Sequence, residues 1–244
     1  MSKEGFKNER EIIKCLNGAL FGNLNSNCKK LLVDLFSKKI INKTVILAKE
    51  KAGQNKSDVI IIIGGIEKTI SVKSGTGNSV HQEPIEDFIA FLKENYKISD
   101  ALAQDIRLFI WGDGTFDGSG KVEARVSANK FKKKYPQVIN RIQSFFNEHK
   151  EDLIRRFVIF GSRSQSSPDF IYYGNKNNGF WKKSERVQEW LCDKVNESKG
   201  AISVGGLTFQ AWNRNICGGN KSEKKRGVIQ LKWGSIGKDL GTIK

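Results

Sequence analysis

The spacing of apolar residues predicts several helices. Between residues 3 and 17, Phe6, Ile13 and Leu16 recur at helical intervals, with Ile12 beside them. A second apolar stripe predicts a helix over residues 27–39, and residues 127–152 are also expected to be helical. Pro84 suits the first turn of another helix. Its buried stripe would be formed by Ile85, Phe88, Ile89 and Leu92.

Short runs of β-branched residues predict strands between these helices. The run Val59–Ile63 is continuous and ends at two glycines, and Lys68–Lys73 alternates polar and apolar residues, so the two are predicted to pair as a hairpin. Because helices and strands alternate, the expected fold class is α/β, with a mixed central β-sheet flanked by helices. Further strands are expected at 45–48, 107–111, 156–160, 201–204, 207–212 and 227–233.

The amino-acid composition of the sequence changes near residue 160. Beyond it, aromatic, glycine, asparagine and basic residues interleave among short strands. We therefore expect a core over residues 1–160 and a basic, strand-rich region over residues 161–244. The same pattern is also compatible with one compact domain, since 244 residues are enough for a single large core.

The net charge of the chain indicates which class of partner it binds. Its 42 lysines and arginines exceed its 26 acidic residues, which gives a net charge of +16. Such an excess favours a nucleic acid partner, because neutralised phosphates release counterions and this drives binding. The alternative is a basic protein without a polyanionic partner.

The patterns of cysteine, histidine and hydropathy argue against four classes: zinc-binding proteins, disulfide-rich proteins, secreted or membrane proteins, and nucleases that use several histidines. The cysteines are spaced neither as zinc ligands nor as a disulfide framework, so we expect reduced, buried thiols. No apolar segment suggests a secretion signal or a membrane span, which favours a cytoplasmic protein. The two histidines, His81 and His149, are too few for nucleases that use several, and His81 is expected at the surface.

A carboxylate and an amine lie at one end of the predicted hairpin. Asp58 precedes its first strand and Lys73 ends its second, and alternation puts Ser71 on the same face as Lys73. A phosphodiesterase needs such a pair, because the carboxylate can hold a divalent metal while the lysine steadies the nucleophile or the developing charge. The alternative is a turn aspartate beside a solvated lysine.

Glu9 lies inside the apolar stripe of the first predicted helix. It follows Phe6 by three residues and precedes Leu16 by seven, which puts it on the same helical face. A carboxylate that faces a core is unfavourable unless it is paired or binds a metal. A place at the edge of the stripe, or pairing with a lysine, is the alternative.

These segments resemble the PD-(D/E)xK nuclease superfamily, which includes type II restriction endonucleases and archaeal-type Holliday junction resolvases. Gly5–Ile12 resembles the family's first helix, Lys56–Asp58 with the following strand resembles the first motif, and Ile70–Lys73 resembles the second. The matching region covers about residues 5–111. The resemblance implies that Mg²⁺ is bound by Asp58, Glu9 and the carbonyl of Val72, and that Lys73 assists the attacking water.

Two positions depart from the family pattern. Ser71 stands where the second motif has an acid, and Ser57 stands where the first usually has proline. A hydroxyl cannot replace the charge of a carboxylate, so either another acid contributes or catalysis has been lost. Glu83 and Glu86, both expected on the helix after the hairpin, are the reserve acids. The small residues between Lys73 and Glu83 suit either a contact to a DNA phosphate or an ordinary flexible connection.

The C-terminal region carries residue types suited to DNA. Arginine, asparagine and glutamine can read base edges, and lysine anchors phosphates. The strands at 207–212 and 227–233 would flank a basic loop, Gly218–Arg226, that enters a groove; the alternative is a basic hairpin packed on the core. The predicted DNA-binding residues are Gln210, Asn213, Arg214, Lys221, Lys224, Lys225 and Arg226.

A second Pro–Asp sequence, at Pro168 and Asp169, precedes two lysines, Lys182 and Lys183. We reject it as the active site, because asparagine and glycine interrupt the strand between these residues.

The resemblance implies a type II site-specific deoxyribonuclease, a phosphodiester hydrolase that cuts double-stranded DNA. It also implies a homodimer, since two sites would cut two strands, and a companion DNA methyltransferase. Three alternatives stay open: a structure-specific nuclease such as a junction resolvase, a DNA-binding protein that has lost catalysis, and an RNA-associated basic protein. The sequence shows no RNA-binding signature in favour of the last.

Overall fold

The computed structural model describes residues 3–53, 56–75, 78–162, 166–194 and 202–244. The chain forms two compact units. The first contains Met1–Asn78, Arg155–Trp190 and Ser235–Lys244, and the second contains Ser79–Ile154 and Leu191–Gly234. No helix in the described ranges is both long and apolar enough to cross a membrane.

The α-helices are α1 (Lys3–Leu16), α2 (Ser26–Phe36), α3 (Ile85–Tyr96), α4 (Asp100–Trp111), α5 (Ala128–Lys134), α6 (Pro136–Glu148), α7 (Lys150–Ile154), α8 (Ser184–Asp193), α9 (Asn220–Glu223) and α10 (Ile236–Thr242). The strands are β1 (Leu47–Glu50), β2 (Val59–Ile63), β3 (Ile66–Lys73), β4 (Ser79–Pro84), β5 (Phe170–Asn175), β6 (Asn178–Lys183), β7 (Ile202–Val204), β8 (Leu207–Ala211) and β9 (Val228–Lys232). Short 3₁₀ turns cover Phe21–Asn23 and Val122–Ala124, and a π-helix covers Arg155–Phe160.

The first unit is built on a five-stranded sheet in the order β1-β2-β3-β5-β6. β3 and β5 run parallel, whereas the other neighbours are antiparallel. Helix α1 packs on β1, β3 and β5, while α2 and α10 pack on β6. Leu16, Leu32, Ile61 and Ile70 lie in the core between these helices and the sheet. The fold is therefore α/β with a mixed central sheet flanked by helices, which confirms the predicted class.

The second unit contains a four-stranded antiparallel sheet in the order β4-β9-β8-β7. Helices α3, α4 and α6 pack against this sheet. Phe209 of β8 lies at the centre of the contact, with its ring centroid 4.8 Å from that of Phe146 and 5.7 Å from that of Phe88. The unit thus has an aromatic core of its own.

The two units do not follow a single boundary near residue 160. β5, β6 and α10 all lie beyond that position, yet they belong to the first unit because β5 pairs with β3. The assignment of a nuclease core to residues 1–160 and of DNA recognition to residues 161–244 stays a prediction.

The hairpin β2–β3, helices α1 to α3 and the strands β7 to β9 are confirmed close to their predicted bounds. The four cysteines are free. Cys28 is buried and Cys217 is exposed, so the expectation that all of these thiols are buried is wrong for Cys217.

The segment Arg107–Trp111, predicted as a strand, is the end of helix α4. Ser99 caps this helix by accepting a hydrogen bond from the backbone N–H of Leu102 at 3.2 Å. Ala103, Ile106 and Ile110 are buried at helical spacing. A short apolar run does not by itself separate a strand from a buried helix, which is why the prediction was wrong.

Two further segments differ from prediction. The expected strand at 156–160 lies in the π-helix after α7, and the N–H of Gly161 bonds to the carbonyl of Arg156 at 2.7 Å. Residues 79–83, expected to lead into a helix, form β4 because they pair with β9. Glu83 therefore lies on a strand, and His81 is buried rather than exposed.

Candidate active site

The β2–β3 hairpin brings Asp58 and Ser71 together. The N–H of Asp58 donates to the carbonyl of Ile70 at 2.9 Å, which holds Asp58 beside the end of β3. Asp58 Oδ2 then accepts hydrogen bonds from the N–H of Val72 at 2.6 Å and from Ser71 Oγ at 3.3 Å. Asp58 is only 7% exposed and Ser71 is fully buried, so this carboxylate is largely removed from bulk water.

Lys73 is the counter-ion of this carboxylate. Its Nζ lies 3.3 Å from Asp58 Oδ2, 2.7 Å from Ser71 Oγ and 3.1 Å from the carbonyl oxygen of Val72. An ammonium group has three N–H donors, so each donor has one acceptor here. Lys73 must exchange at least one of these partners before it can donate to a substrate.

Helix α1 adds Glu9 to the cluster. Glu9 is 5% exposed and shares its buried face with Ile12 and Leu16, whereas Phe6 is exposed and Ile13 is half-buried. The buried stripe of α1 is therefore rotated from the predicted one, with Glu9 still on it. The pKa of Glu9 is raised from 4.5 to about 7, first by burial and then by the negative charge of Asp58, while Lys73 lowers it.

Glu50 is a nearby carboxylate that the sequence analysis did not single out. Its negative charge contributes to the raised pKa of Glu9. Glu50 ends β1 and pairs with Val59, the residue after Asp58. The strand itself was expected near 45–48, but its pairing with β2 was not predicted, so the end of β1 could not be aligned with Asp58.

The cluster offers oxygen ligands of the kind that Mg²⁺ prefers. Glu9 and Asp58 supply carboxylates, and Val72 supplies a backbone carbonyl. Burial first, and then the negative charge of Asp58, raises the pKa of Glu9, and a divalent cation between the two carboxylates would relieve their repulsion. Over the described ranges, no three His, Cys, Asp or Glu residues are grouped to hold a metal. Two carboxylates and one backbone carbonyl are a donor set that suits Mg²⁺, which usually keeps several of its waters.

The two reserve acids have other partners in the second unit. Glu83 is buried on β4, and its Oε1 lies 3.0 Å from Nε2 of His81. Glu86 lies in the first turn of α3 and accepts a hydrogen bond from Nε of Arg107 at 2.8 Å. That bond is the main cause of the lowered pKa of Glu86. The metal roles of Glu9 and Asp58, with Glu83 and Glu86 in reserve, stay predictions.

Five of the predicted DNA-binding residues are at least partly exposed. Lys221, Lys224 and Lys225 are exposed, and Nζ of Lys225 lies 5.0 Å from the centre of the Trp212 ring. Gln210 and Asn213 are half-buried. These five side chains lie on β8 or in the connection between β8 and β9, as predicted.

Arg214 and Arg226 lie in the interior of the second unit. Arg214 is 7% exposed, lies 4.8 Å from the centre of the Phe109 ring and donates to the backbone carbonyl of Phe109. Its burial lowers its pKa to about 10. Arg226 donates to Asp113 at 2.7 Å and to Glu223 at 2.9 Å. Both arginines thus hold the β8–β9 connection in place, and their predicted contacts with DNA stay a prediction.

The second Pro–Asp sequence has a structural role. Oδ2 of Asp169 accepts a hydrogen bond from the N–H of Thr69 at 2.8 Å, and Oδ1 accepts one from Lys68 at 2.7 Å. Asp169 thereby ties the start of β5 to β3. Lys182 and Lys183 lie on β6, which pairs with β5 in a hairpin.

Comparison with known proteins finds similarity to a solved structure. No family model and no curated protein matches the chain. The crystal structure of the restriction endonuclease MspI in complex with its cognate DNA matches with a TM-score of 0.52 and 14% sequence identity, covering 84% of this chain and 77% of that chain. The likeness is one of fold. The chain therefore resembles a type II restriction endonuclease in fold, as the sequence motifs suggest.

Proposed function

We propose that the protein is a Mg²⁺-dependent endonuclease that cuts double-stranded DNA at a specific sequence, as type II restriction enzymes do. The observation that carries the proposal is the cluster of Glu9, Asp58 and Lys73, which lies on the sheet and first helix of a fold like that of MspI. The solved MspI structure is a DNA complex, and the net charge of +16 favours the same partner here.

Each residue of the cluster has a distinct task in this proposal. Glu9 and Asp58, with the carbonyl of Val72, would hold Mg²⁺, which supplies positive charge to the scissile phosphate and activates an attacking water. Lys73 neutralises the charge of Asp58 while DNA is absent and donates a hydrogen bond to the water or the phosphate when DNA binds. Ser71 Oγ accepts a hydrogen bond from Lys73 and donates one to Asp58, which positions both side chains.

The test is to incubate the protein with plasmid DNA of mixed sequence and Mg²⁺. Discrete fragments would support sequence-specific cleavage, and a smear would support an unspecific nuclease. A gel shift without cutting under any divalent ion would leave a DNA-binding protein. Cutting of four-way junctions in preference to linear duplexes would point instead to a resolvase.

A DNA-binding protein without catalysis is the second candidate. Ser71 at the position of the missing acid favours it, as does the small number of carboxylates in the cluster. In that case Lys73 and Asp58 would be a buried ion pair that stabilises the hairpin. The plasmid assay separates the two candidates.

The family resemblance adds two proposals about partners. The first is a homodimer, which sedimentation of the protein with and without its DNA would test. The second is a DNA methyltransferase that protects the same sequence, which a search of the neighbouring genes would test.

Ser71→Asp should restore the family pattern and change the response to metal. Without divalent ions the variant should be less stable than wild type, because it adds a buried negative charge beside Asp58 and Glu9. With Mg²⁺ the cleavage rate should be retained, and half-maximal activity should occur at a lower Mg²⁺ concentration. Ser71→Asn is the neutral control of the same size and should not lower that concentration. Equal Mg²⁺ dependence in all three proteins would place Ser71 away from the metal.

The exposed lysines between β8 and β9 should contribute phosphate contacts. Replacing Lys221, Lys224 and Lys225 with alanine should weaken binding to all DNA sequences alike. The slope of log affinity against log salt should fall by about 0.9 for each phosphate contact that is lost. A triple variant of Lys130, Lys132 and Lys133 on α5 removes the same charge and should leave the slope unchanged. An unchanged slope in the loop variant would remove this loop from the interface.

A further inference from the structure

The four-stranded sheet of the second unit has one apolar and one polar face. Side chains alternate between the two faces of a strand. Phe209, Ile229 and Leu231 are fully buried on the apolar face, against which helices α3, α4 and α6 pack. The residues between them along β8 and β9 belong to the opposite face.

Three glutamines form a row across the polar face. Gln82 on β4 pairs with Gln230 on β9, which pairs with Gln210 on β8. Nε2 of Gln210 donates to Oε1 of Gln230 at 3.0 Å. Because neighbouring strands lie about 4.8 Å apart, the row is about 10 Å long, which is within the width of about 12 Å of the DNA major groove.

Exposure differs along this row. Gln82 is exposed and Gln210 is half-buried, whereas Gln230, flanked by both, is only 5% exposed. The two outer amides are thus accessible, and the central one fixes the orientation of Gln210.

A second row of polar residues lies beside the first. Ser79 and Thr208 both pair with Lys232, two residues along β9 from Gln230. This part of the face therefore carries amides, hydroxyls and one cation. Amides and a lysine ammonium can also bond to base edges in the major groove, where the sequence is read.

We propose that this sheet face reads the DNA sequence, with Gln82 and Gln210 contacting base edges and Gln230 positioning Gln210. A glutamine amide offers a donor and an acceptor together, which matches the N6 and N7 groups of adenine. Lys232 presents its ammonium to the same face and matches the O6 and N7 acceptors of guanine. The inference rests on the proposed function and assigns its specificity to a sheet surface. Gln210 on this surface was already among the residues predicted from the sequence, whereas Gln82, Gln230 and Lys232 were not.

The experiment is a selection from a library of randomised DNA duplexes, in the presence of Mg²⁺ and in the Lys73→Ala background so that bound DNA is not cut. Gln82→Ala and Gln210→Ala should each relax the preference at one position of the selected sequence. The expected loss of discrimination is between about five- and 150-fold, which is the range for one bidentate contact. Gln230→Met should relax the same position as Gln210→Ala, a coincidence that a purely stabilising role would not produce.

Gln137→Ala, on α6 of the same unit, is the matched control and should select the wild-type sequence. Selection of an unchanged sequence by both Gln82→Ala and Gln210→Ala would overturn the inference, and so would equal relaxation in the control. Because Gln82 is exposed, its variant is decisive even if Gln230→Met fails to fold. If the Lys73→Ala protein without further changes selects no sequence, this inference is wrong. The plasmid assay on the wild type still decides whether the protein is a nuclease.

Discussion

Lys73→Ala is expected to abolish DNA cleavage while leaving most of the affinity for DNA. The ammonium group lies 3.3 Å from Asp58 Oδ2, so its loss removes the donor proposed for the water or the phosphate. Removal of one such donor typically slows catalysis by about a hundredfold or more. Binding should change little, because Lys73 contacts one phosphate at most among many. Single-turnover cleavage and gel shifts on the same duplex would measure both effects.

Lys68→Ala is the matched control for this prediction. Lys68 lies on the same strand and also pairs with an aspartate, since its Nζ is 2.7 Å from Asp169. The control therefore loses the same charge from β3 but keeps the cluster, and it should cut at nearly the wild-type rate. If Lys73→Ala cuts as fast as Lys68→Ala, the proposed active site is wrong.

Glu9→Gln should stabilise the protein at pH 8 in the absence of metal. The pKa of Glu9 is raised to about 7 in the folded protein, so folding retains a proton that the unfolded chain releases above its ordinary pKa of 4.5. The free energy of unfolding of the wild type therefore falls between pH 4.5 and 7, and the loss is complete above that range. A shift of one pKa unit corresponds to about 1.4 kcal/mol, and solvent screening reduces the total to the order of 2 kcal/mol.

Urea unfolding at pH 5 and pH 8 would measure this difference. Glu9→Gln should exceed wild type in stability at pH 8 and approach it at pH 5. Glu11→Gln, on the same helix, is the control: Glu11 is half-exposed and pairs with Lys176 at 2.8 Å, so its removal should bring no gain. A Glu9→Gln variant that is no more stable than wild type at pH 8 would show that the ionised carboxylate of Glu9 does not destabilise the fold.

The same variant should lose its response to Mg²⁺. If Mg²⁺ binds the folded state as proposed, it should raise the unfolding temperature of the wild type, because a ligand favours the state that it binds by mass action. Glu9→Gln and Asp58→Asn should show little of this rise and little cleavage, whereas Glu11→Gln should behave as wild type. Equal stabilisation of all four proteins by Mg²⁺ would exclude Glu9 and Asp58 as ligands, whatever the plasmid assay shows.

The local parts of this site could be predicted from the sequence. A hairpin ties Asp58 to Lys73 through strand pairing, and a period of 3.6 residues places Glu9 on the buried face of α1, so short-range patterns were sufficient. Backbone geometry decides which residues share a face of a helix. It does not fix the exact centre of the buried face, since Phe6 of the predicted stripe is exposed and Ile13 is half-buried.

Long-range pairing could not be predicted in the same way. β4 is a strand because β9, far along the chain, lies beside it, and nothing within residues 79–84 indicates this. Arg226 is buried because Asp113 provides its counter-charge at 2.7 Å. A basic residue in a basic loop is typical of the surface, and only the tertiary fold shows that a partner more than a hundred residues away neutralises it.

The connection between β8 and β9 is ordered by ionic contacts that exist before any DNA arrives. Glu223 accepts hydrogen bonds from Arg125 and Arg226, both at 2.9 Å. Bonds from Asn215 first, and then from these arginines, hold the pKa of Glu223 down at about 2. Glu223 thus remains ionised even in moderately acidic solution. The conformational entropy of the connection is therefore lost during folding. If DNA binds there as proposed, it would meet a preorganised surface, and little of the binding energy would be spent on ordering the connection.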